Sequence, residues 1–75
     1  MKRVVWTEDA EAQLLRLPLE DAETALTAIE TLAERSIGFV RVMNPSGELR
    51  LYAGDCIMTF VESDDVIRVQ AIRKR

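Results

Sequence analysis

The residues best suited to chemistry lie in the second half of the chain. Arg50 and Tyr52 stand two apart, Arg68 and Gln70 stand two apart, and Arg73-Lys74-Arg75 follows as a basic cluster. A guanidinium grips phosphate with a planar fork of donors, and a phenol ring can stack on a nucleobase. A two-residue step places side chains on one face of a strand. The spacing therefore suits an arginine- and aromatic-bearing sheet surface able to hold RNA. The plain alternative is a solvated face with scattered arginines.

Other chemistries are harder to build. There is no His and one Cys, Cys56, so neither a zinc site nor a His-based nucleophile relay can be assembled. Glu48, Glu62, Asp64 and Asp65 do not form a convincing paired-carboxylate site, because three of them sit in or beside a turn. Gly54-Asp55 reads as turn chemistry rather than a phosphate loop, since no helix opening with Lys follows it. No metal and no cofactor are expected. Cys56 falls on the side that should be buried, as a small apolar filler. A lone Cys forms no internal disulfide, which together with the lack of a signal peptide makes a cytoplasmic location the expectation. No apolar run reaches the ~18 residues a membrane helix needs, so no membrane partner is expected.

Seventy-five residues make a single domain, spanning residues 1–75. So short a chain buries proportionally little surface, and a partner or a second copy is a natural supplement; a homodimer is one form that could take. The formal charge is −3. Lys2, Arg3 and Arg16 stand against eight acidic residues up to Glu34, which leaves −5 there and +2 over residues 35–75. An anion is therefore met in the second half, through a weak field.

Elements must position these residues. Residues 2–6 are β-branched and aromatic and read as a strand, with Trp6 as a core anchor. Thr7 looks like an N-cap, followed by Glu8 and Asp9 at the positive end of a helix dipole. Ala10, Leu14 and Leu17 share one helical face, and Pro18 ends that helix. A second helix covers residues 19–35, with Ala22, Leu26, Ile29 and Ala33 at three- and four-residue steps and Gly38 as the stop. Residues 39–43 read as a strand or an extended lead-in, and Asn44-Pro45-Ser46-Gly47 as a turn. Three strands follow at 48–53, 56–62 and 66–73.

The register follows from the turns. A two-residue loop at Gly54-Asp55 sets Ala53 opposite Cys56, Leu51 opposite Met58 and Leu49 opposite Phe60. A loop at Asp64-Asp65 sets Glu62 opposite Ile67, Phe60 opposite Val69 and Met58 opposite Ala71. Opposed residues share a face, so Leu49, Leu51, Ala53, Cys56, Met58, Phe60, Ile67, Val69 and Ala71 form one apolar side for the helices. A slip of one residue would scramble it. The open side then carries the rows Arg50–Thr59–Gln70, Tyr52–Ile57–Ile72 and Glu48–Val61–Arg68. Ile57, Val61 and Ile72 beside Tyr52 would form an exposed apolar patch, the mark of a partner contact. The fold class is α+β: an amino-terminal strand, a helical hairpin and a three-stranded antiparallel meander, with the helices on one sheet face. The place of the first strand in the sheet is left open.

Over nearly its whole length the chain resembles the RelE/ParE superfamily of toxins from bacterial type II toxin–antitoxin pairs. The resemblance rests on the opening strand with Trp6, the helical hairpin ending in Leu32-Ala33, the run Glu48-Leu49-Arg50-Leu51-Tyr52-Ala53-Gly54-Asp55-Cys56-Ile57-Met58-Thr59-Phe60, and the closing strand into Arg73-Lys74-Arg75. It implies a toxin that binds a cognate antitoxin and acts either as a metal-free, ribosome-dependent mRNA endonuclease or as an inhibitor of DNA gyrase. A chain that kept the fold as an interaction module without chemistry is a further alternative. The resemblance implies Arg50 and Arg75 as basic groups at phosphate; with Arg73 added they are the expected catalytic residues, while Tyr52, Arg68, Gln70 and Lys74 are the expected RNA contacts. Cys56-Ile57 stands where the family has a Tyr-Arg pair, and Glu48 stands where RelE-like ribonucleases tend to be basic.

Overall fold

A computed structural model describes residues 1–43 and 47–75, so the turn expected at Asn44-Pro45-Ser46 lies outside the described residues. In chain order the elements are β1 (Arg3–Trp6), α1 (Glu8–Leu15), α2 (Leu19–Arg35), β2 (Phe39–Met43), β3 (Glu48–Ala53), β4 (Cys56–Glu62) and β5 (Val66–Lys74). They build one five-stranded sheet in the order β1-β5-β4-β3-β2. β2, β3, β4 and β5 pair as an antiparallel meander, and β1 closes the other edge parallel to β5. α1 crosses β5 while α2 packs over β1, β3 and β4, so both helices cover one face. No described helix is long and apolar enough to cross a membrane.

The helix boundaries have local causes. The Thr7 hydroxyl accepts the Ala10 N–H at 3.2 Å, and Glu8, Asp9 and Glu11 occupy the first turn of α1. Pro18 takes an extended conformation immediately ahead of α2. The stop after α2 differs from expectation. Ser36, not Gly38, adopts the left-handed conformation (φ 57°), and its N–H reaches the Leu32 carbonyl at 2.9 Å. Gly38 serves close packing instead: a Cβ there would lie 2.8 Å from Cδ1 of Leu51. Gly54 meets its turn requirement with φ 57°.

The core lies between the helices and the sheet. Ala10, Ala25, Ile29, Leu51, Met58, Phe60, Ile67, Val69 and Ile72 are buried there, with Val4, Trp6 and Leu14 packed around them. The β3–β4 register is the one the Gly54-Asp55 loop dictates, from Ala53 opposite Cys56 to Leu49 opposite Phe60. The Asp64-Asp65 turn likewise sets Glu62 opposite Ile67 and Phe60 opposite Val69.

Beyond Val69 the expected register fails. The ladder shifts between Thr59 and Phe60, so Thr59 faces Ala71, Met58 faces Ile72, Ile57 faces Arg73 and Cys56 faces Lys74. Gln70 is thus the extra residue of a β-bulge, and the side chains after it change faces. Ile72, expected in an exposed patch, is buried at 2% exposure, and Ala71 takes the open side. Lys74 turns to the helical side, where its Nζ lies 3.0 Å from Asp21 in α2.

The bulge sits where β1 runs out of backbone. β1 ends at Trp6, opposite Val69, and the last strand-like bond on that side is Thr7 N–H to the Val69 carbonyl at 3.0 Å. Past that point α1 supplies the partners. The Thr7 hydroxyl donates to the Gln70 carbonyl at 3.3 Å, and the Gln13 side-chain oxygen accepts the Ile72 N–H at 2.9 Å. A side-chain amide thereby replaces a missing strand and satisfies a part-buried donor. Gln13→Met keeps the length and removes the acceptor, so we expect a loss of about 1–3 kcal/mol. The matching signature is faster hydrogen exchange at the Ile72 amide than at Ile67, measured by NMR; unchanged exchange at Ile72 would contradict this role.

Candidate nucleic-acid interface

The uncovered face of the sheet collects the arginines. β3 and β4 place Arg50, Tyr52, Ile57, Thr59 and Val61 there, and β5 adds Arg68, Ala71 and Arg73. β2 brings Phe39 opposite Tyr52 and Arg41 opposite Arg50. β1 brings Arg3 and Val5, with Val5 opposite Arg68. Arg75 lies at the end of the same side, its guanidinium 5.9 Å from the centre of the Tyr52 ring and its Nη2 donating to the Gly54 carbonyl at 3.0 Å. Glu48 shares this face by alternation with Arg50, and Glu62 lines its far end beside Arg3 and Arg68. Most acidic residues lie instead on the helices, where Glu8, Asp9, Glu11, Glu20, Asp21, Glu23, Glu30 and Glu34 stand against Arg16 and Arg35.

Arg41 and Arg50 form the core of the site. Like charges directly opposed on neighbouring strands, with Cβ atoms about 5 Å apart, repel one another. The two ion pairs among the described residues, Lys2–Glu62 and Lys74–Asp21, involve neither arginine. Nε of Arg50 is shielded from solvent and has no hydrogen-bond partner. A shielded donor without an acceptor is costly, and an anion bridging the two guanidiniums would relieve both the repulsion and the unmet bond. Beside them Phe39, Val40, Arg41, Tyr52 and Arg75 line a cleft of about 370 Å³ with aromatic and cationic walls.

The structure brings together several of the candidate residues. Arg50, Tyr52 and Arg75 come together near the β2 edge, Arg73 stands two strands from Tyr52 in the same cross-strand row, and Arg68 shares their face farther along β5. Gln70 is exposed, but as the bulge residue it breaks the expected Arg50–Thr59–Gln70 row, which becomes Arg50–Thr59–Ala71. Lys74 is turned away from this surface, its pKa held above the ordinary lysine value by the hydrogen bond and charge of Asp21. The apolar patch expected on this side is mostly absent. Ile72 is in the core, Ile57 is 8% exposed, and only Val61 and Tyr52 remain half-exposed. Exposed apolar side chains gather instead near β2, at Ile37, Phe39, Val40 and Val42.

Sequence reasoning passed over Arg3, Arg41 and Phe39. Arg41 and Phe39 carried a usable signal: a strand at 39–43 continues the alternation and sets them across from Arg50 and Tyr52. Arg3 had none, because its face depends on where β1 joins the sheet. Cys56 is buried, as its alternation implies. Burial raises its thiol pKa, and the Asp21 carboxylate, whose residue also offers a backbone carbonyl 3.9 Å from Sγ, adds to the shift. Among the described residues no group of three or more metal-ligating side chains comes together.

No protein-family model and no curated protein sequence matches the chain. Solved structures do match its fold. The toxin–antitoxin complex RelBE2 from Mycobacterium tuberculosis contains a chain that superimposes with a TM-score of 0.86 at 15% identity, covering 99% of this chain and 98% of that one. The archaeal RelE–RelB complex from Pyrococcus horikoshii gives 0.82 at 19% identity, covering 99% and 94%. The chromosomal ParDE system from P. aeruginosa gives 0.67 at 20% identity, covering 99% and 96%. The α+β architecture described above is the fold of RelE/ParE-like toxins.

Arg50→Met removes a shielded, unpartnered donor and one member of a like-charge pair, so its melting temperature should equal or exceed that of the parent chain. A single-stranded polyanion held at this face would lose one phosphate-directed cation in the same variant, and the salt slope of its binding would fall by about 0.7. Cys56 should resist iodoacetamide until the chain unfolds. Its thiol ionises more readily in the unfolded chain, so its contribution to stability is complete below the ordinary thiol pKa and is lost as pH rises through the folded value; a denaturant titration across that range measures the fall.

Proposed function

We propose that this chain is the toxin of a type II toxin–antitoxin pair, acting on RNA through the open sheet face and neutralised by a cognate antitoxin. The observation that carries the RNA reading is the Arg41–Arg50 pair, opposed across two strands, with the shielded Arg50 Nε unpartnered. The fold supports the class. RelE complexes and the ParDE system share this fold, so the choice of a RelE-like mode of action rests on the Arg41–Arg50 pair.

In this reading Arg50, with Arg41 beside it, receives the scissile phosphate. Arg73 and Arg75 add positive charge as the phosphorus centre becomes more negative in the transition state. Tyr52 and Phe39 hold bases by stacking, and Arg68 with Arg3 follows the backbone toward the far end of the sheet. Cleavage forms a bond from the ribose 2′-oxygen to phosphorus as the bond to the 5′-oxygen breaks, so it also requires a proton acceptor for the 2′-hydroxyl and a proton donor for the departing 5′-oxygen. The titratable side chains able to serve on this face are Tyr52 and Glu48, and the ribosome can contribute groups of its own. The setting would be the bacterial or archaeal cytoplasm, where ribosomes and their messages are met.

Purified chain added to a ribosome translation mixture should cleave mRNA without added metal beyond that of the ribosomes. Arg50→Ala should lower the cleavage rate about a hundredfold or more. Intact mRNA together with inhibited gyrase supercoiling would replace this reading with the ParE-like one. Silence in both assays would leave a fold kept as a binding module.

A further inference from the structure

The open face has a second recess, at the end remote from β2. Parallel pairing of β1 with β5 sets Val5 opposite Arg68 and Arg3 opposite Val66. Arg3 and Arg68 therefore stand on a diagonal, each with a valine directly across from it. Together with Ser63 they rim a cavity of about 450 Å³, whose floor is the half-buried Val5, Val61 and Val66. Glu62 also lines this recess, but its carboxylate is held by Nζ of Lys2 at 2.8 Å. Asp64 and Asp65 lie in the adjoining turn, and the two ion pairs among the described residues join neither of them to Arg3 or Arg68. Each guanidinium thus keeps its fork of donors for an outside anion, and phosphate fits that fork. The aliphatic floor can carry the sugar or base attached to the phosphate. It offers no hydrogen-bonding groups to read the base.

Distance from Arg50 decides the size of the ligand. Thr59 faces Arg50 and Val61 faces Arg68. The Ser63 N–H donates to the Val66 carbonyl at 2.9 Å, which puts Ser63, Val66 and Arg3 at one level across the sheet. From strand spacing and rise, Arg68 lies two strands across and two residues along from Arg50, about 12 Å between Cα atoms, and Arg3 lies three strands across and four residues along, about 20 Å. Arg41, Arg50, Arg68 and Arg3 therefore follow one diagonal track. A nucleotide seated on Arg50 does not reach the recess, whereas a strand of roughly four nucleotides, the lower end of single-strand site sizes, does. We propose that the Arg3–Arg68 recess is a second phosphate subsite, which takes the backbone of the same single-stranded RNA several nucleotides from the scissile phosphate and makes affinity depend on substrate length. This inference rests on the RNA reading of the open face. Contacts so far from the reacting bond act on substrate and transition state alike, so the recess adds affinity and leaves the chemical step unchanged.

The test is a length series of single-stranded oligouridylates, with binding to the full chain followed by fluorescence anisotropy at low salt. Affinity should step up about tenfold once the oligomer spans from Arg50 to the recess, and the salt slope should steepen by about 1.4 as two further guanidiniums meet phosphate. The double variant Arg3→Gln, Arg68→Gln should abolish that step and return the salt slope to its short-oligomer value. Its affinity for the shortest oligomers should equal that of the parent chain, which also shows that the variant is folded. Affinity that rises smoothly with length and alike in both proteins would overturn the subsite, as would equal losses for short and long oligomers; both results leave RNA binding at Arg50 in place. Absence of binding at every length would sink the RNA reading, and the subsite with it.

Discussion

Gln70 is one residue more than the β4–β5 ladder can pair, and the surface of the molecule is organised around that surplus. Side chains alternate along a strand, so an unpaired residue exchanges inside and outside for everything after it. Ile72 enters the core, Arg73 joins Arg50 and Tyr52 outside, and Lys74 swings beneath the sheet to Asp21. With a regular ladder, Ile72 would be in water and Arg73 would point toward the helices. Thr7 and Gln13 hold the irregularity by occupying the Gln70 carbonyl and the Ile72 N–H. The short first helix is thus more than a lid on the core: it determines the composition of the opposite surface.

A net charge of −3 is a poor guide to what such a molecule binds. Its acids lie mainly on the helices and its arginines mainly on the open face. The molecule measures 31 × 25 × 22 Å, while the physiological screening length is about 8 Å. A polyanion at the open face therefore experiences the local arginines far more than the acids behind the sheet. The same separation keeps Arg41 and Arg50 unneutralised among the described residues. Neutralising them with nearby carboxylates would ease the repulsion and also remove the attraction for phosphate.

The resulting face is graded along its length. Near β2 it offers aromatic rings beside guanidiniums, with Arg75 over Tyr52 and Phe39 across from it. Toward β1 it offers Arg3 and Arg68, with Glu62 at the rim, around Val5, Val61 and Val66. Stacking and phosphate contact are available at the first end, while the second supplies charge over an aliphatic floor. Such an arrangement suits a flexible chain that must be held firmly at one place and followed at another. The exposed β2 edge adjoins the first end, so anything that pairs with it meets the densest part of the site.

Much of this architecture is legible in the residues themselves. Thr7, Pro18 and the spacing of Ala22, Leu26, Ile29 and Ala33 delimit the helices, and Gly54-Asp55 determines the β3–β4 register and hence that Thr59 and Ile57 join Arg50 and Tyr52 on one face. These features depend on local dihedral preferences and on hairpins whose strands are neighbours in sequence. The tertiary structure alone decided the rest. The parallel docking of β1 against β5, the bulge at Gln70, and the inward turn of Ile72 and Lys74 depend on contacts between distant segments. The Gln13–Ile72 bond spans 59 positions. No periodicity in the sequence encodes it, because a backbone donor left unpaired where another strand ends is a property of the assembled sheet.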